Sequence, residues 1–222
     1  MTAFLFGIIS SLAASAILLL LGLLRGSRPL WWLVAAFSRC TGTGLGRVYR
    51  HQSSTEQDMA RDLSRARWIK VMAGRGNVLT REVFSPLWSG DLSPEFIQVL
   101  LPDPEPRGDS WLEKRSHDLR RFDPGYETPE LLRNQVRANM HYLAHATRAQ
   151  HNFELRSFNL PNTCRVIATD RAAYLTFYNS SDHGRNSPCL YVRAPGLLYF
   201  IALQQFDTAW MNSSPALPAP RL

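Results

Sequence analysis

The hydrophobic pattern divides the chain into one unbroken apolar segment and a long region in which apolar and polar residues alternate. Residues 2–24 form a run of 23 residues without an ionisable side chain. As a helix rising about 1.5 Å per residue, this run would extend roughly 34 Å, against a hydrocarbon core of about 30 Å. The pattern therefore predicts a transmembrane helix over residues 1–25. A cleaved signal peptide is the alternative, although no basic residue precedes the apolar run.

The charges are distributed unevenly around this segment. Five arginines follow it before residue 51, none precedes it, and no acidic residue occurs before residue 56. This bias predicts an N-terminus outside the cytoplasm and a cytoplasmic C-terminal domain, in a single-pass protein of the cell inner membrane whose arginines meet anionic lipid headgroups. The rest of the chain holds 20 basic and 18 acidic side chains, so the net charge of +7 does not indicate a nucleic-acid partner. The five are Arg25, Arg28, Arg39, Arg47 and Arg50.

Small side chains recur at every fourth position of the predicted membrane helix, at Ala3, Gly7, Ser11 and Ser15. Such a stripe lets a second helix approach closely, which favours a homo-oligomer with the lipid bilayer as its surroundings. The alternative is that small residues are simply common in membrane helices. Both interpretations stay open.

Residues 26–52 are predicted to be a basic interfacial segment followed by a linker. The apolar stretch 29–37 is too short to span a bilayer, and its paired tryptophans are typical of the headgroup level. A re-entrant or second short membrane helix is the alternative. Residues 41–46 are rich in glycine, but their spacing matches neither a dinucleotide-binding nor a phosphate-binding loop. They are therefore expected to be flexible.

From residue 53 the pattern predicts one domain that ends near residue 212, followed by a proline-rich tail over 213–222. Helical periodicity and capping residues alternate with short apolar runs bounded by turn residues. Strands that alternate with helices early and follow one another directly later predict an α/β fold with a mixed sheet flanked by helices. The predicted helices are 55–66, 80–88, 110–121, 128–149 and 196–212, and the predicted strands are 68–73, 96–101, 153–158, 164–168, 173–178 and 190–192.

The cysteines and histidines do not form a metal-binding pattern. Cys40, Cys164 and Cys189 are an odd number without a close pair, which indicates a reducing compartment and excludes a CxxC site. His141 and His145 have a spacing compatible with a metal, but no third ligand is evident. No metal ion and no cofactor are predicted.

One segment of the predicted domain suggests a family. Residues 66–212, with "LLPDP", "FELRSF" and "TCRVIATDRAAYLT" in that order, resemble one half of the phospholipase D superfamily, whose members carry an HxKxxxxD motif. Thr163 stands in place of the motif's histidine, Arg165 in place of its lysine, and Asp170 is retained. The resemblance implies a catalytically silent domain with a ligand cleft at the carboxyl edge of the sheet. His183 is a further candidate, from another loop, for the ligand site.

These residues leave several functions open. Arginine can hold a phosphate through two parallel hydrogen bonds, whereas a threonine hydroxyl needs a neighbouring base before it can attack. The main hypothesis is a membrane-anchored sensor that binds an anionic small molecule or nucleotide, or a protein partner, a layout similar to that of membrane effectors in bacterial anti-phage defence. A phosphodiesterase or lipid hydrolase and a membrane scaffold are the alternatives. A simple ion pair between Arg165 and Asp170 also remains possible.

Overall fold

The fold is described from a computed structural model, in which a single sheet carries helices on both faces. The sheet contains parallel and antiparallel pairs, so the prediction of an α/β fold with a mixed sheet flanked by helices is confirmed. The structure describes residue 15 and residues 28–81, 83–106, 109–121, 123–126, 128–161, 163–178 and 184–216.

The described elements follow the predicted order closely. Two short 3₁₀ turns, Gln52–Thr55 and Pro124–Tyr126, precede the second and fifth helices. The helices are α1 (Arg28–Cys40), α2 (Glu56–Leu63), α3 (Ser85–Trp88), α4 (Trp111–Arg120), α5 (Pro129–Ala146) and α6 (Leu197–Met211). The strands are β1 (Leu45–Tyr49), β2 (Trp68–Met72), β3 (Phe96–Pro102), β4 (Phe153–Phe158), β5 (Cys164–Thr169), β6 (Ala172–Phe177), β7 (Cys189–Arg193) and β8 (Ser214–Pro215).

The strand order across the sheet is β1-β7-β6-β5-β2-β3-β4-β8. β2, β3 and β4 are parallel neighbours, and the helices that connect them cross one face of the sheet. All the other pairs are antiparallel. Because β5 runs against β2, the first residues of β5 lie at the same edge as the carboxyl ends of the three parallel strands. This edge carries the site described below.

Alternation along the strands divides the core into two layers. On β2, Ile69 and Val71 point toward α2, α3, α4 and α5, whereas Met72 points toward α6 on the opposite face. Each such fully buried aliphatic side chain contributes about 1.5–3 kcal/mol relative to an exposed one. α6 presents a stripe of buried residues at three- and four-residue spacing, namely Tyr199, Ala202, Phe206 and Ala209.

Two segments outside the predicted domain 53–212 join the sheet. The expectation that residues 26–52 end in a flexible linker is wrong for residues 45–49, because these form the edge strand β1, paired with β7. Ser214 and Pro215, from the predicted tail, pair with β4 as β8. Glycine explains the misleading pattern, since a Cβ on Gly44 would lie 2.8 Å from Cα of Gly196. These glycines permit close backbone contact and are not evidence of a linker.

The predicted membrane helix lies outside the described residues, except for Ser15, which is helical and exposed. Ala3, Gly7 and Ser11 of the predicted packing stripe are likewise outside them. Across the ranges that the structure does describe, no helix has both the length and the apolar character needed to cross a bilayer. The stretch 29–37 lies within the 13-residue helix α1.

Candidate anion-binding site

A cavity of about 180 Å³ opens at the edge of the sheet where β2 ends. The register pairs Met72, the last residue of β2, with Val166 near the start of β5, so the loop after β2 lies beside the first residues of β5. α4 and the residue that follows β6 complete the walls. The cavity therefore lies at the carboxyl edge of the parallel strands, where ligands of open α/β sheets usually bind.

Five arginines line this cavity, which we call the arginine pocket. They come from four separate segments of the chain, namely the connection between β2 and α3, α4, β5 and the loop before β7, so that the fold brings them together. Among the described residues that line the pocket, none is aspartate or glutamate. The carboxylate of Glu56 lies just outside the lining, 3.6 Å from one of the guanidiniums. The five are Arg75, Arg81, Arg115, Arg165 and Arg185.

The positive charges in the pocket act on one another. Burial, followed by the charges of Arg185 and Arg165, lowers the pKa of Arg81, and Glu56 opposes this only in part. Burial also lowers the pKa of Arg115. Guanidiniums nevertheless remain protonated in proteins, so the lowered pKa values express the free-energy cost of burying these charges and, for Arg81, also of placing it beside Arg185 and Arg165. A bound anion would offset part of that cost.

Arg165 is the residue whose hydrogen bonding is least complete. Its Nε and Nη1 atoms are buried, and neither has a hydrogen-bond partner in the described structure. The guanidinium lies 5.8 Å from the centre of the Tyr178 ring, a cation–π contact that leaves the N–H groups unpaired. Because an unsatisfied buried donor costs about 1–3 kcal/mol, and more when it is charged, two unpaired N–H groups on a residue that lines a cationic cavity favour an acceptor at this position.

Tyr178 is the aromatic residue of the pocket wall that contacts both Arg115 and Arg165. Its hydroxyl accepts a hydrogen bond of 2.9 Å from the Gly74 N–H, and the Arg115 guanidinium lies 5.6 Å from its ring centre. Gly184 packs directly against it, because an added Cβ would lie 2.9 Å from Cε1 of Tyr178 and 3.2 Å from Nη2 of Arg165. Any side chain at position 184 would therefore intrude on the pocket.

The loop that carries Arg75 is fixed by α5. The Asn139 amide donates to the Arg75 carbonyl and to Oδ1 of Asn77, each at 2.7 Å. Nη1 of Arg75 donates to the Tyr126 hydroxyl and, at 3.3 Å, to the Gln135 side chain. Because both the backbone and the side chain of Arg75 are held by hydrogen bonds, its charge is pre-positioned at the cavity.

Three of the four sequence-predicted ligand residues are among the described residues, and the structure brings only one of these three into this pocket. Arg165 lines it, whereas Thr163 is exposed and lines a separate cavity of about 90 Å³ beside α6. Asp170 lies at the far end of β5, where it accepts a 2.9 Å hydrogen bond from the Arg67 N–H and lies 3.6 Å from the Arg171 guanidinium. His183 lies outside the described residues.

The possible ion pair between Arg165 and Asp170 is not formed. The two residues are five positions apart on an extended strand, which places them roughly 16 Å from each other at about 3.3 Å per residue. The strand separates the two charged members of the motif instead of joining them.

The other four arginines of the pocket are not among the site residues predicted from the sequence. Arg75 occurs in the run Gly74-Arg75-Gly76-Asn77, which directly follows the predicted strand 68–73. A basic residue between glycines at the carboxyl end of a parallel strand is a usable signal for an anion site. Arg81, Arg115 and Arg185 carried no such signal, because nothing in their local sequence indicates where their side chains converge.

The chemistry that this lining supports is binding. Five guanidiniums supply hydrogen-bond donors in a geometry suited to phosphate or carboxylate oxygens. The described lining contains no histidine, cysteine, serine or threonine, and its one hydroxyl belongs to Tyr178. No cluster of His, Cys, Asp or Glu suitable for a metal ion occurs among the described residues. Fold and site together define an α/β protein with a candidate anion-binding pocket.

No family model matches the sequence, and no curated protein matches it. Among solved structures, the chain is similar to TrmBL2, an archaeal chromatin protein with a novel mode of DNA binding, with 9% identity, a TM-score of 0.48 and coverage of 93% of this chain and 67% of that chain. It is also similar to Nuc of Salmonella typhimurium, a phospholipase D family member, with 14% identity, a TM-score of 0.47 and coverage of 76% and 95%. NucT from Helicobacter pylori gives 10% identity, a TM-score of 0.45 and coverage of 76% and 97%.

Proposed function

We propose that this chain is a membrane-anchored protein whose α/β domain binds a phosphate-bearing small molecule, such as a nucleotide, in the arginine pocket and relays its presence to the membrane. The observation that carries the proposal is the buried, unpaired pair of N–H groups on Arg165, in a cavity lined by four further arginines. A phosphate group would satisfy these donors and neutralise the mutual repulsion of the guanidiniums.

The size of the pocket restricts the part of the ligand that it holds. A volume of about 180 Å³ is below the roughly 300–1,000 Å³ typical of pockets that enclose a whole small molecule. The cavity therefore accommodates the phosphate portion, while the remainder of the ligand extends toward the opening. Trp111 lines the same cavity and offers an aromatic face on which a nucleotide base can stack.

Calorimetry on the full chain in detergent or nanodiscs tests this function, with phosphate, pyrophosphate and a panel of linear and cyclic nucleotides as ligands. We expect at least one of these ligands to bind and Arg165→Gln to weaken it about 10- to 100-fold, the equivalent of roughly 1.5–3 kcal/mol for a hydrogen bond to a charged group. Arg148→Gln removes an exposed arginine elsewhere on the surface and serves as the matched control. Absence of binding across the panel, or equal binding by both variants, would refute the proposal.

The rival proposal is a phosphodiesterase or lipid hydrolase. It derives from the resemblance of residues 163–170 to the phospholipase D motif, but the residue in the nucleophile's position and the one in the lysine's position line different cavities. Incubation of the full chain with phosphodiester substrates separates the two functions. Turnover that disappears in Thr163→Ala and persists in the Arg148→Gln control would favour the enzyme.

The anchor and its orientation are proposed from the uncharged segment 2–24 and the arginines that follow it. Fusion of a reporter to the C-terminus tests the orientation, because a fluorescent protein folds in the cytoplasm and alkaline phosphatase is active only outside it. We expect fluorescence and no phosphatase activity. Self-association through the small-residue stripe is tested by Gly7→Ile, which would disperse an oligomer held by that stripe and leave a scaffold of any other kind intact.

A further inference from the structure

We propose that the domain rests on an anionic bilayer surface through a second group of arginines, which we call the basic corner. Arg39, Arg47, Arg61 and Arg193 are exposed and line a cavity of about 320 Å³ between α1, β1, β7 and α2. The occupant is the phosphate layer of the lipid headgroups. This inference rests on the membrane anchor of the proposed function and adds the surface by which the folded domain meets the membrane.

The charge of the basic corner is only partly neutralised. Asp58 is the one carboxylate among the described residues that line it, and it lies 2.9 Å from Arg61 and 3.7 Å from Arg47. Arg39 and Arg193 form no ion pair within the described part of the chain, and both also line an adjoining cavity of about 300 Å³. Four guanidiniums against one carboxylate give a surface complementary to anionic headgroups, each basic residue contributing about 1 kcal/mol near such a membrane.

Exposed apolar side chains occur on α1 and α6, close in sequence to Arg39 and Arg193. Phe37 on α1 is 72% exposed, and Leu197 at the start of α6 is 60% exposed. The two are connected through the intervening loop, because the Leu197 N–H donates to the Gly42 carbonyl and the Thr41 N–H donates to the Phe37 carbonyl. Exposed apolar residues combined with basic residues are typical of segments that lie in the headgroup region of a bilayer.

The chain itself brings this corner close to the membrane. α1 begins at Arg28, four residues after the uncharged segment ends at residue 24. At no more than about 3.6 Å per residue, Arg28 lies within roughly 14 Å of the end of a membrane helix formed by that segment. Lipid headgroups are thus the anions available to this surface whenever the anchor is inserted. The alternative occupant, a free soluble anion, would not depend on lipid composition.

The basic corner and the arginine pocket are separate sites. Arg165 of β5 pairs with Thr176 of β6, which pairs with Cys189 of β7, so these three residues form one row across the sheet. Arg193 lies four residues further along β7. Strand spacings of about 4.8 Å and a rise of about 3.3 Å per residue place Arg193 roughly 16 Å from Arg165. This exceeds the Debye length of about 8 Å at physiological salt, so the charges of the two sites are largely screened from each other.

The natural cysteines permit a direct test. Cys40, beside Arg39, is exposed, whereas Cys164 and Cys189 are buried, so a thiol-reactive fluorophore labels Cys40 in the native chain. The labelled full chain is placed in nanodiscs of neutral phosphatidylcholine, or of phosphatidylcholine with phosphatidylglycerol, each containing lipid with a nitroxide on its headgroup. We expect about twofold or greater quenching in the anionic nanodiscs, lost in Arg39→Gln/Arg193→Gln and retained in the equally charged control Arg121→Gln/Arg148→Gln.

Equal quenching in both lipid compositions, or unchanged quenching in the Arg39→Gln/Arg193→Gln chain, would overturn the proposal. Pyrophosphate affinity at the arginine pocket, wherever the wild type binds it, reports that the double variant is folded. Addition of 0.5 M NaCl to the wild-type chain must also abolish the difference between the lipids, which tests the proposal without any substitution. Lipid-dependent quenching in a chain that binds no phosphate ligand would refute the proposed ligand function and leave the docking proposal standing. Failure of the chain to enter nanodiscs would refute the proposed membrane anchor.

Discussion

The molecule contains two groups of arginines that differ in surroundings more than in composition. The arginine pocket is lined by the sheet edge, α4 and two loops, four of its five arginines are half-buried, its described lining contains no carboxylate, and Arg165 has two buried N–H groups without partners. The basic corner is exposed, and Asp58 neutralises part of its charge. Enclosure favours one ligand held by defined hydrogen bonds, whereas exposure favours many interchangeable headgroups held by charge alone. The same residue type therefore supports recognition in one place and adhesion in the other.

The largest expected effect comes from a substitution that fills the arginine pocket and leaves the basic corner unchanged. In Gly184→Val the new Cβ lies 2.9 Å from the Tyr178 ring, so that Tyr178 or the Arg165 guanidinium must move. We expect about a 100-fold loss of phosphate-ligand affinity by calorimetry, comparable to the loss of roughly 2.7 kcal/mol of contact energy. Gly184→Ala should give a smaller loss.

Docking through the basic corner should not change in either Gly184 variant, as measured by quenching of the Cys40 label in anionic nanodiscs. A loss of docking together with ligand binding would show that the two arginine groups form one continuous site. The surface substitution Ala149→Val adds similar bulk at an exposed position and should alter neither measurement.

The next effect concerns stability in the absence of ligand. Arg165→Met removes a charge whose buried N–H groups are unpaired, and a buried guanidinium without a partner is usually less stable than an apolar side chain of similar volume. We expect the free energy of unfolding to rise by about 1–3 kcal/mol, and Tm by several degrees for a chain of this size.

The matched change at the exposed corner, Arg193→Met, should lower the free energy of unfolding by no more than about 1 kcal/mol, because Arg193 is exposed and its guanidinium contacts only the Tyr191 ring, 5.6 Å from its centre, among the described residues that form cation–π contacts with it. Thermal unfolding of both variants in the same detergent, without phosphate, makes the comparison. A less stable Arg165→Met chain would mean that the Arg165 guanidinium is already satisfied by contacts within the protein.

Added salt should weaken lipid docking at the basic corner more than ligand binding in the arginine pocket, and we expect this difference to be smaller than the previous two. The Debye length falls from about 10 Å at 0.1 M to about 3 Å at 1 M, and screening acts most strongly on exposed charges. We expect lipid docking to disappear by about 0.5 M NaCl while the dissociation constant of the pocket ligand rises less than about tenfold over the same range. A salt titration of one preparation, monitored by quenching of the Cys40 label and by binding of the pocket ligand, measures this difference. If docking and ligand binding were lost in parallel, the charges of the arginine pocket would be as open to screening as those of the basic corner.

Sequence reasoning succeeded where the signal is local. The mostly apolar run 68–73 predicts a strand, which the structure forms as β2, and the helix predicted over 128–149 is present as α5, which begins at Pro129. It failed at β1, because Gly44 and Gly46 were taken for linker residues although they permit close packing against Gly196 and Tyr191. Nothing within a short window shows whether a glycine serves flexibility or close contact.

The site was harder to predict than the fold for a related reason. Arg165 was found through the spacing of its motif, but that spacing also suggested Thr163 and Asp170, which the strand directs to another cavity and to the opposite edge. The remaining arginines of the pocket come from segments up to about a hundred residues apart, brought together by the register of β2 with β5. Convergence of this kind is a property of the folded sheet, and a linear motif contains no record of it.

The smallest expected effect concerns the carboxylate that distinguishes the two groups. Asp58 accepts a hydrogen bond from the Tyr49 hydroxyl as well as contacting Arg47 and Arg61. Asp58→Asn keeps a carbonyl acceptor for Tyr49 and removes the negative charge, so two guanidiniums become free to contact lipid. We expect about a twofold rise in the salt concentration at which half of the docking signal is lost.

Asp91→Asn removes an exposed carboxylate from the loop after α3 and should leave that salt midpoint where it is. The Asp58→Asn change should also leave phosphate-ligand affinity unaltered, because the Asp58 carboxylate is engaged at the basic corner and does not line the arginine pocket. If docking weakened in Asp58→Asn, the carboxylate would be holding Arg47 and Arg61 in the orientation that binds lipid. The role of Asp58 would then be to position these charges. The basic corner and the arginine pocket would in that case differ in how their arginines are arranged, and not in how far a carboxylate neutralises them.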